Sequence, residues 1–487
     1  MKEMKNIILY MLICIAVLGT GCKKYLEQAP DQRTTLNSPE KVSRLLVTAY
    51  PRGNYVLLTE GMSDNIVYIG PPATEYVITR DAYAWKDIED ISQDSPVYYW
   101  NSCYTAIAAA NQALDAIAKA KDPENYTAQK GEALVARAYA HFMLVTFYSK
   151  PYDAATSDTD MGIPYVTEPE NVVFKNYERK TVAYVYEQIQ NDLLAGIPLI
   201  QDNKYTVPAY HFTKKAAYAF ASRYYLFKKD YPKVIEYANK AFPANDFATS
   251  ARPWKSYADI SGSSNVATAL TAASNPGNLL IAETVSRAAS QYARNQYAMS
   301  PAKFDEIRMP LGIQFTAYKS YSYDGGAYYF VPKHYAHFVR TSINATTGTY
   351  YNMLVLLTTE EVLLNRAEAY IYEGRYEDAV KDFNTLLSVR LTTYTESTNG
   401  LTDTKIMNYY ASVTSDKQQA YINAVLALRR AEFISEGMRW MDILRYKLPV
   451  THRDKSDINQ ILQPDDNRRQ WQLPEEVTLS GIPLNPR

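Results

Sequence analysis

Histidines are the first residues to consider for chemistry, because histidine is the commonest general base and a frequent metal ligand. The five histidines are His141, His211, His334, His337 and His452. Only His334 and His337 are near neighbours, and the HYAH segment lacks the glutamate that a metallopeptidase helix would supply. The spacing could hold a metal ion, but the surrounding residues indicate a strand or a loop. We therefore expect no metal site here.

Motifs for other kinds of catalysis are also missing from the sequence. It contains no nucleophile elbow, no phosphate-binding loop and no dinucleotide fingerprint. A glycosidase needs two carboxylates with no fixed spacing in sequence, so a surface glycoside hydrolase stays a less favoured alternative. The sequence predicts a binding protein rather than an enzyme, with no catalytic residues and no cofactor.

Aromatic residues in loops carry a clearer signal, since 44 of the 487 residues are tyrosine. Sugar rings have C–H faces that stack on aromatic planes, while amide and guanidinium groups bind their hydroxyls. Two loop-rich segments, 51–96 and 242–351, hold the aromatic residues that no helical pattern explains. The candidate ligand-binding residues are Tyr68, Tyr83, Trp85, Tyr292, Arg294, Tyr297, Tyr321 and Tyr323. For each tyrosine, packing of a loop onto a helix is the competing interpretation.

The elements that must position these residues have helical periodicity. Helix pairs are predicted at about 97–149, 180–242, 358–390 and 417–446, with a large irregular, loop-rich insert at about 243–354 that faces the ligand. Segment 360–391 fits the tetratricopeptide consensus. The matching residues are Leu363, Ala367, Tyr370, Gly374, Tyr376, Ala379 and Phe383. The predicted fold is mainly α, with about four tetratricopeptide-type helix pairs.

The start of the chain has the pattern of a bacterial lipoprotein signal. Lys2 and Lys5 precede an apolar run at 7–18, which is too short to span a bilayer, and small residues lead to Cys22. We expect residues 1–21 to be a signal peptide, Cys22 to carry lipid (diacylglycerol and palmitate), and 22–487 to form a single domain. Ordinary secretion is the alternative. Cys103 is then the only other cysteine of the mature chain and is expected in the core.

The charge balance excludes one class of partner. Lys and Arg total 51 against 52 for Asp and Glu, a net charge of −1. Nucleic-acid binding requires a basic field, so it has no electrostatic support.

Four local sequences, taken in order, resemble the SusD/RagB family of outer-membrane lipoproteins of Bacteroidetes. They are GEALVARAYAHFMLVTFY (131–148), ERKTVAYVYEQIQNDLLAGIPLI (178–200), LLNRAEAYIYEG (363–374) and ALRRAEFISEGMRWMDILRY (427–446). The last of these carries the charged run formed by Arg429, Glu432, Glu436, Gly437, Arg439, Trp440, Asp442 and Arg445. The resemblance covers essentially the whole mature chain.

This resemblance implies a SusD-like fold and a non-catalytic protein at the cell exterior, anchored in the outer membrane by lipid alone. Its expected partner is a SusC-like TonB-dependent transporter, to which it delivers oligosaccharide or polysaccharide. Peptide capture, as in the RagB branch, is the alternative. By position, the resemblance favours Tyr83, Trp85, Tyr292 and Tyr297 as ligand contacts. It also implies that the charged run has a structural role.

Overall fold

The structure is a computed structural model that describes residues 35–71, 73–170, 175–291, 295–323, 326 and 328–487. Helices dominate it. In chain order they are α1 (Pro39–Leu46), α2 (Val56–Met62), α3 (Val77–Tyr83), α4 (Pro96–Ala118), α5 (Thr127–Tyr148), α6 (Val182–Gly196), α7 (Lys214–Lys228), α8 (Tyr231–Ala241), α9 (Phe247–Ser250), α10 (Ser263–Leu270), α11 (Ala288–Gln291), α12 (Pro301–Ile307), α13 (Thr359–Tyr372), α14 (Tyr376–Arg390), α15 (Glu396–Asn399), α16 (Asp403–Tyr410), α17 (Lys417–Glu432) and α18 (Met438–Arg445). The mainly α fold predicted from the sequence is confirmed.

Side-chain caps explain where several of these helices begin. The hydroxyl of Ser95 accepts a hydrogen bond from the amide of Tyr98 at 3.1 Å, and Pro96 follows at the first helical position. Thr213 and Thr358 cap α7 and α13 in the same way. Each cap satisfies one of the amides that a helix leaves without a partner. The predicted starts of the first and third helix pairs, at 97 and 358, therefore agree closely with the observed ones.

Neighbouring helices in sequence pack as antiparallel pairs around one large core. The pairs α4–α5 and α13–α14 form the hairpins that the periodicity predicts, whereas the predicted pair at 180–242 is divided, because α6 packs mainly on α5 and α7 packs mainly on α8. Nearly all of α5 is buried, and its alanines allow close approach of its neighbours. In the tetratricopeptide-like pair, Ala367, Ala379 and Phe383 are buried, while Gly374 takes a φ of 71° between the two helices. A φ in this range favours glycine, so the residue fits the turn.

One predicted helix is shorter than expected. The pattern suggested a helix from 432 to 446, but α18 begins at Met438, immediately after Gly437 with a φ of 77°. The segment between Glu432 and Gly437 is a turn. This turn changes the direction of the chain within the charged run, whose contacts with other segments are described below.

The insert contains a sheet that the sequence analysis did not predict. In chain order, the strands of the described structure, inside and outside the insert, are β1 (Val67–Tyr68), β2 (Asn278–Val285), β3 (Tyr297–Ala298), β4 (Tyr321–Tyr323), β5 (Tyr328–Phe330), β6 (Tyr335–Arg340), β7 (Gly348–Thr358), β8 (Val450–Arg453) and β9 (Asn459–Leu462). Strands β2, β7 and β6 form an antiparallel sheet in that order. The HYAH segment lies at the start of β6, in the strand context expected for it.

A second, smaller hydrophobic core lies beneath the loops. It includes Trp254, Tyr257, Val266, Phe304 and Ile434 and is separate from the large helical core. Within the described ranges, none of the helices is long and apolar enough to cross a membrane.

Candidate ligand-binding face

The two loop-rich segments meet at a strand pairing. Tyr68 in β1 lies opposite Tyr297 in β3, and Val67 lies opposite Ala298. Isolated bridges extend the junction, joining Thr74 to Asn295 and Gly53 to Val285. Backbone hydrogen bonds therefore hold together two regions that are more than 200 residues apart in sequence.

Four of the predicted residues belong to one continuous row of rings at this junction. The ring centroids of Tyr68 and Tyr297 are 5.4 Å apart, and those of Tyr297 and Tyr83 are 4.8 Å apart. Tyr83 stacks on His452 at 3.9 Å, and Trp85 stacks on His452 at 4.4 Å. Two parallel rings at such distances must lie on opposite faces of the imidazole. We call this row the aromatic ladder: Tyr68, Tyr297, Tyr83, His452 and Trp85.

His452 is the member of the ladder that the sequence analysis missed. It lies in β8, and its Nδ1 and Nε2 are 2.7 Å and 2.8 Å from the carbonyl oxygens of Tyr83 and Ser63. Burial lowers the pKa of His452. The two carbonyls act in the opposite direction, because only a protonated ring donates from both nitrogens. No local pattern in the sequence could have indicated a contact that spans 369 residues.

Most of the ladder is buried. Tyr83, Trp85 and Tyr297 are only 5%, 3% and 7% exposed, and the Trp85 indole donates to the carbonyl of Met62 at 3.0 Å. Tyr68 is half-buried, and so is Tyr321 at the edge of the second core. The buried rings thus offer little area to a ligand and support Tyr68 from beneath.

Charged groups surround the exposed end of the ladder. The Glu75 carboxylate accepts hydrogen bonds from Lys455 Nζ and, at 3.3 Å, from the Tyr297 hydroxyl. The hydrogen bond from Lys455 is the main reason why the pKa of Glu75 lies below its ordinary value. Arg80 lies near this acid and pairs with Asp81 at 2.8 Å. Tyr68, Glu75, Arg80, Tyr297 and Lys455 are called the seam face below.

The remaining predicted residues lie wholly or partly outside the described residues. Tyr292, Arg294 and Cys22 are not described, and neither is the side chain of Tyr323, although its backbone belongs to β4. Asn295, directly after Arg294 in sequence, pairs with Thr74 beside Glu75.

A cavity of about 500 Å³ adjoins the buried end of the ladder. Trp85, Trp471 and Leu473 contribute to its wall, and Asp87 and Arg487 form an ion pair of 2.8 Å beside it. Trp471 itself is fixed by stacking on the core at 4.4 Å from Phe147. The ladder therefore connects the seam face at one end with this cavity at the other.

The sheet of the insert has a second group of accessible aromatic residues. Tyr335 and His337 of β6 and Tyr351 of β7 lie in a row, with centroids 5.9 Å and 5.6 Å apart. Glu283 binds both Arg52, at 2.7 Å, and His337 Nε2, at 3.1 Å. Strand β6 pairs only with β7 among the strands that the structure describes, so its outer edge is open.

A buried ion network fixes the insert to the helices. Arg252 binds Glu432 at 2.6 Å and Glu436 at 2.8 Å, and Arg390 binds Glu360 at 2.5 Å and Glu432 at 2.6 Å. Burial alone would raise the pKa of Glu432, but Arg390 and Arg252 lower it to about 2. Lys333 and Tyr318 of the insert reach the same acids.

The charged run at 429–445 is thus part of the framework. Arg429 binds Asp442 at 2.9 Å, Arg439 binds Asp64 at 2.8 Å, and Trp440 is fully buried. These contacts agree with the structural role that the sequence analysis gave the run. Trp100 and Cys103 are also buried in the core, as expected.

Chemical groups for metal binding do not converge in the described ranges. There, no three or more His, Cys, Asp or Glu side chains form a group that could hold a metal ion. The candidate face consists instead of stacked rings, one accessible tyrosine and a rim of charged and hydroxyl groups. This combination on a helical scaffold defines a mainly α protein with a loop-built, aromatic binding face.

Comparison with known families identifies the scaffold. A family model described as "Starch-binding associating with outer membrane" matches residues 24–226, and the SusD family model matches residues 292–473. The chain belongs to the SusD/RagB family. No curated protein matches this sequence.

Solved structures share the fold over nearly their whole length. A SusD superfamily protein from Bacteroides thetaiotaomicron is 18% identical, with a TM-score of 0.67, and the match covers 92% of this chain and 100% of that one. One from Bacteroides vulgatus is 17% identical, with a TM-score of 0.67 and coverage of 93% and 99%. A SusD-like carbohydrate binding protein from Bacteroides vulgatus is 15% identical, with a TM-score of 0.62 and coverage of 91% and 97%.

Proposed function

We propose that this protein is a non-catalytic binding protein of the outer membrane, which captures oligosaccharide at the seam face. It is anchored by lipid on Cys22 and faces the cell exterior. It passes its ligand to a SusC-like TonB-dependent transporter. A tethered receptor raises the effective concentration of ligand above the pore without any chemical step.

The observation that carries this proposal is the aromatic ladder at the junction of the two loop-rich segments. A sugar needs a rigid aromatic plane and nearby polar groups. Tyr68 offers the plane, and the tilted rings of Tyr297 and Tyr83 pack behind it, so that it loses little freedom on binding. Glu75 and Lys455 can bind hydroxyl groups of the same sugar.

Family membership supports the class of ligand. The matching family model is described as starch-binding, and a protein of the same fold is described as carbohydrate binding. The SusD/RagB family also supplies the expected transporter partner and outer-membrane location. Tyr83 and Trp85 act in this proposal as supports of the face.

Peptide capture is the second candidate, and one feature favours it. The open edge of β6 could pair with an extended peptide through backbone hydrogen bonds. Phe338, which is 40% exposed, and Arg340 lie on this strand. Binding there would depend on the peptide backbone and would not require Tyr68.

Calorimetry with purified oligosaccharides tests the proposal, after a glycan array has identified the ligands. We expect Tyr68→Ala to weaken binding about tenfold, because one aromatic stacking contact contributes about 1 kcal/mol beyond its area. Tyr184→Ala is the matched control, since Tyr184 is 40% exposed but lies on α6. Equal affinity of the two variants would refute the seam face as the binding site.

The partner and the absence of turnover need separate measurements. Affinity purification of the tagged full-length protein from its native membrane should recover a TonB-dependent transporter. Chromatography of the bound oligosaccharide after long incubation should show unchanged chain length. Shortened products would instead support the hydrolase alternative, and binding of peptides alone would support the RagB-like alternative.

A further inference from the structure

A smaller cavity, of about 220 Å³, lies within the insert itself. It is enclosed by the first turn of α10, the segment between β5 and β6, and strand β7. Ser264, Arg287, Phe330, Tyr350 and Asn352 are among the residues that line it. None of the residues of the seam face contributes to its wall.

Asn352 gives this cavity an unusual chemical feature. Its side chain is fully buried, and its Nδ2 donates to the carbonyl oxygen of Ser286. Its Oδ1 accepts no hydrogen bond from any residue that the structure describes. A buried acceptor without a donor is costly and uncommon in a folded protein.

The hydrogen bond to the buried Ser286 carbonyl explains the Nδ2 of Asn352 but leaves its Oδ1 unexplained. Leu354 and Leu356 follow on the same side of the strand, and both are buried apolar residues. An apolar residue at 352 would therefore continue the pattern and would avoid the unpaired oxygen. A ligand group that donates a hydrogen bond to Oδ1 would explain why an asparagine stands here.

Neighbouring contacts hold the amide in one orientation. Ser286 is fully buried, and its hydroxyl donates to Asp94 at 2.5 Å. Asp94 also accepts from the amide of Arg287 at 2.8 Å. The carbonyl of Ser286 is fixed in this way, and it fixes Asn352 Nδ2 in turn, so the amide of this cavity-lining residue is held in one orientation.

The other lining residues define the class of ligand. Phe330, Val331 and Pro332 provide apolar surface, and the Tyr350 ring is 46% exposed at the same wall. The hydroxyls of Ser264 and Ser290 and the guanidinium of Arg287 provide polar contacts. A small ring with C–H faces and several hydroxyl groups matches both kinds of surface.

We propose that this cavity is a pocket for a single sugar ring, one of whose hydroxyl groups donates to Asn352 Oδ1. The inference rests on the proposed function, because it assumes a saccharide ligand. It adds that the protein recognises one residue of the chain in a separate pocket, while the seam face binds the chain by stacking.

Saturation-transfer-difference NMR with single sugars tests the pocket directly. The probes are D-glucose, D-galactose, D-mannose, L-fucose and N-acetyl-D-glucosamine. We expect at least one to bind the full-length protein, and Ser264→Trp to lower its signal at least tenfold by filling the cavity. Thr268→Trp is the matched control, because Thr268 is exposed one turn later on α10 and does not line the cavity.

Two further variants separate this inference from the proposed function. Asn352→Leu should abolish the signal, and a thermal melt checks that this buried change still folds. Tyr68→Ala should keep the single-sugar signal while it weakens oligosaccharide binding. Suppose that oligosaccharide binding depends on Tyr68, but that no single sugar binds or that Ser264→Trp leaves single-sugar binding unchanged. This result would overturn the pocket alone and indicate that it holds only water. Single-sugar binding without oligosaccharide capture would overturn the proposed function instead.

Discussion

Glu60 offers a test of the framework beneath the candidate face, because its ionisation should cost stability. The carboxyl lies in α2 and is 2% exposed. It accepts hydrogen bonds from Asn65 Nδ2 at 3.0 Å and from the amide of Gly437 at 2.8 Å. Burial raises its pKa from 4.5 to about 7, although these hydrogen bonds and Lys333 act in the opposite direction.

The sign and size of the effect follow from this shift. Between pH 4.5 and 7 the folded protein keeps a proton that the unfolded chain has released, so stability falls as the pH rises through this window. A shift from 4.5 to about 7 corresponds to about 3 kcal/mol of destabilisation above pH 7, at roughly 1.4 kcal/mol for each pKa unit. Glu60→Gln removes this dependence because glutamine does not ionise.

The assay is chemical denaturation of both proteins at pH 5 and pH 8.5, with reversibility checked at each pH. The stability of Glu60→Gln relative to that of the unchanged protein should increase by about 2–3 kcal/mol from pH 5 to pH 8.5, because only the unchanged protein loses stability over this range. Glu373→Gln is the control, since Glu373 is exposed at the end of α13. A pH dependence that is the same in all three proteins would refute the reasoning.

Two further substitutions test the supports of the face. Trp85→Ala should destabilise the protein by about 3–5 kcal/mol, measured by denaturation, because it removes a buried ring of the ladder. At a temperature where the variant is folded, its oligosaccharide affinity should fall less than that of Tyr68→Ala, as calorimetry would show. Arg390→Met should cost about 3 kcal/mol in the same denaturation assay, since it removes one of the two guanidinium groups that, in the described part of the chain, bind the buried acids Glu360 and Glu432 and leaves them only that of Arg252.

Helices were predictable because their signals are local. An apolar repeat and a capping residue lie within one or two turns, so the starts at Pro96, Lys214 and Thr359 followed from the sequence. Helix α18 was one exception, and the short helices α2, α3, α10 and α12, within segments predicted to be loops, were others. The pattern of polar and apolar residues continues through 433–437, but the left-handed conformation of Gly437 delays the helix.

The sheet of the insert could not be predicted, because its strand pairings are not local in sequence. Strand β2 pairs with β7, about 70 residues further along the chain, and a partner so distant leaves no periodic pattern in either strand. The same holds for the ladder. Aromatic residues in loops were recognisable, but only the fold shows that Tyr83 and Trp85 enclose His452, whereas Tyr68 is left accessible.

The charged run at 429–445 shows how a long sequence pattern can mark a family without touching a ligand. Three of its charged side chains bind distant segments: Glu432 binds Arg252 and Arg390, Arg439 binds Asp64, and Arg445 binds Glu368. Apolar packing would hold these segments together in several alignments, whereas buried ion pairs with fixed geometry tolerate very few. The loops that these ion pairs hold in place can then vary in sequence while their points of attachment stay fixed. Recognition of ligand therefore has to be sought in the loop residues, and the spacing of the charges explains only how those residues are held.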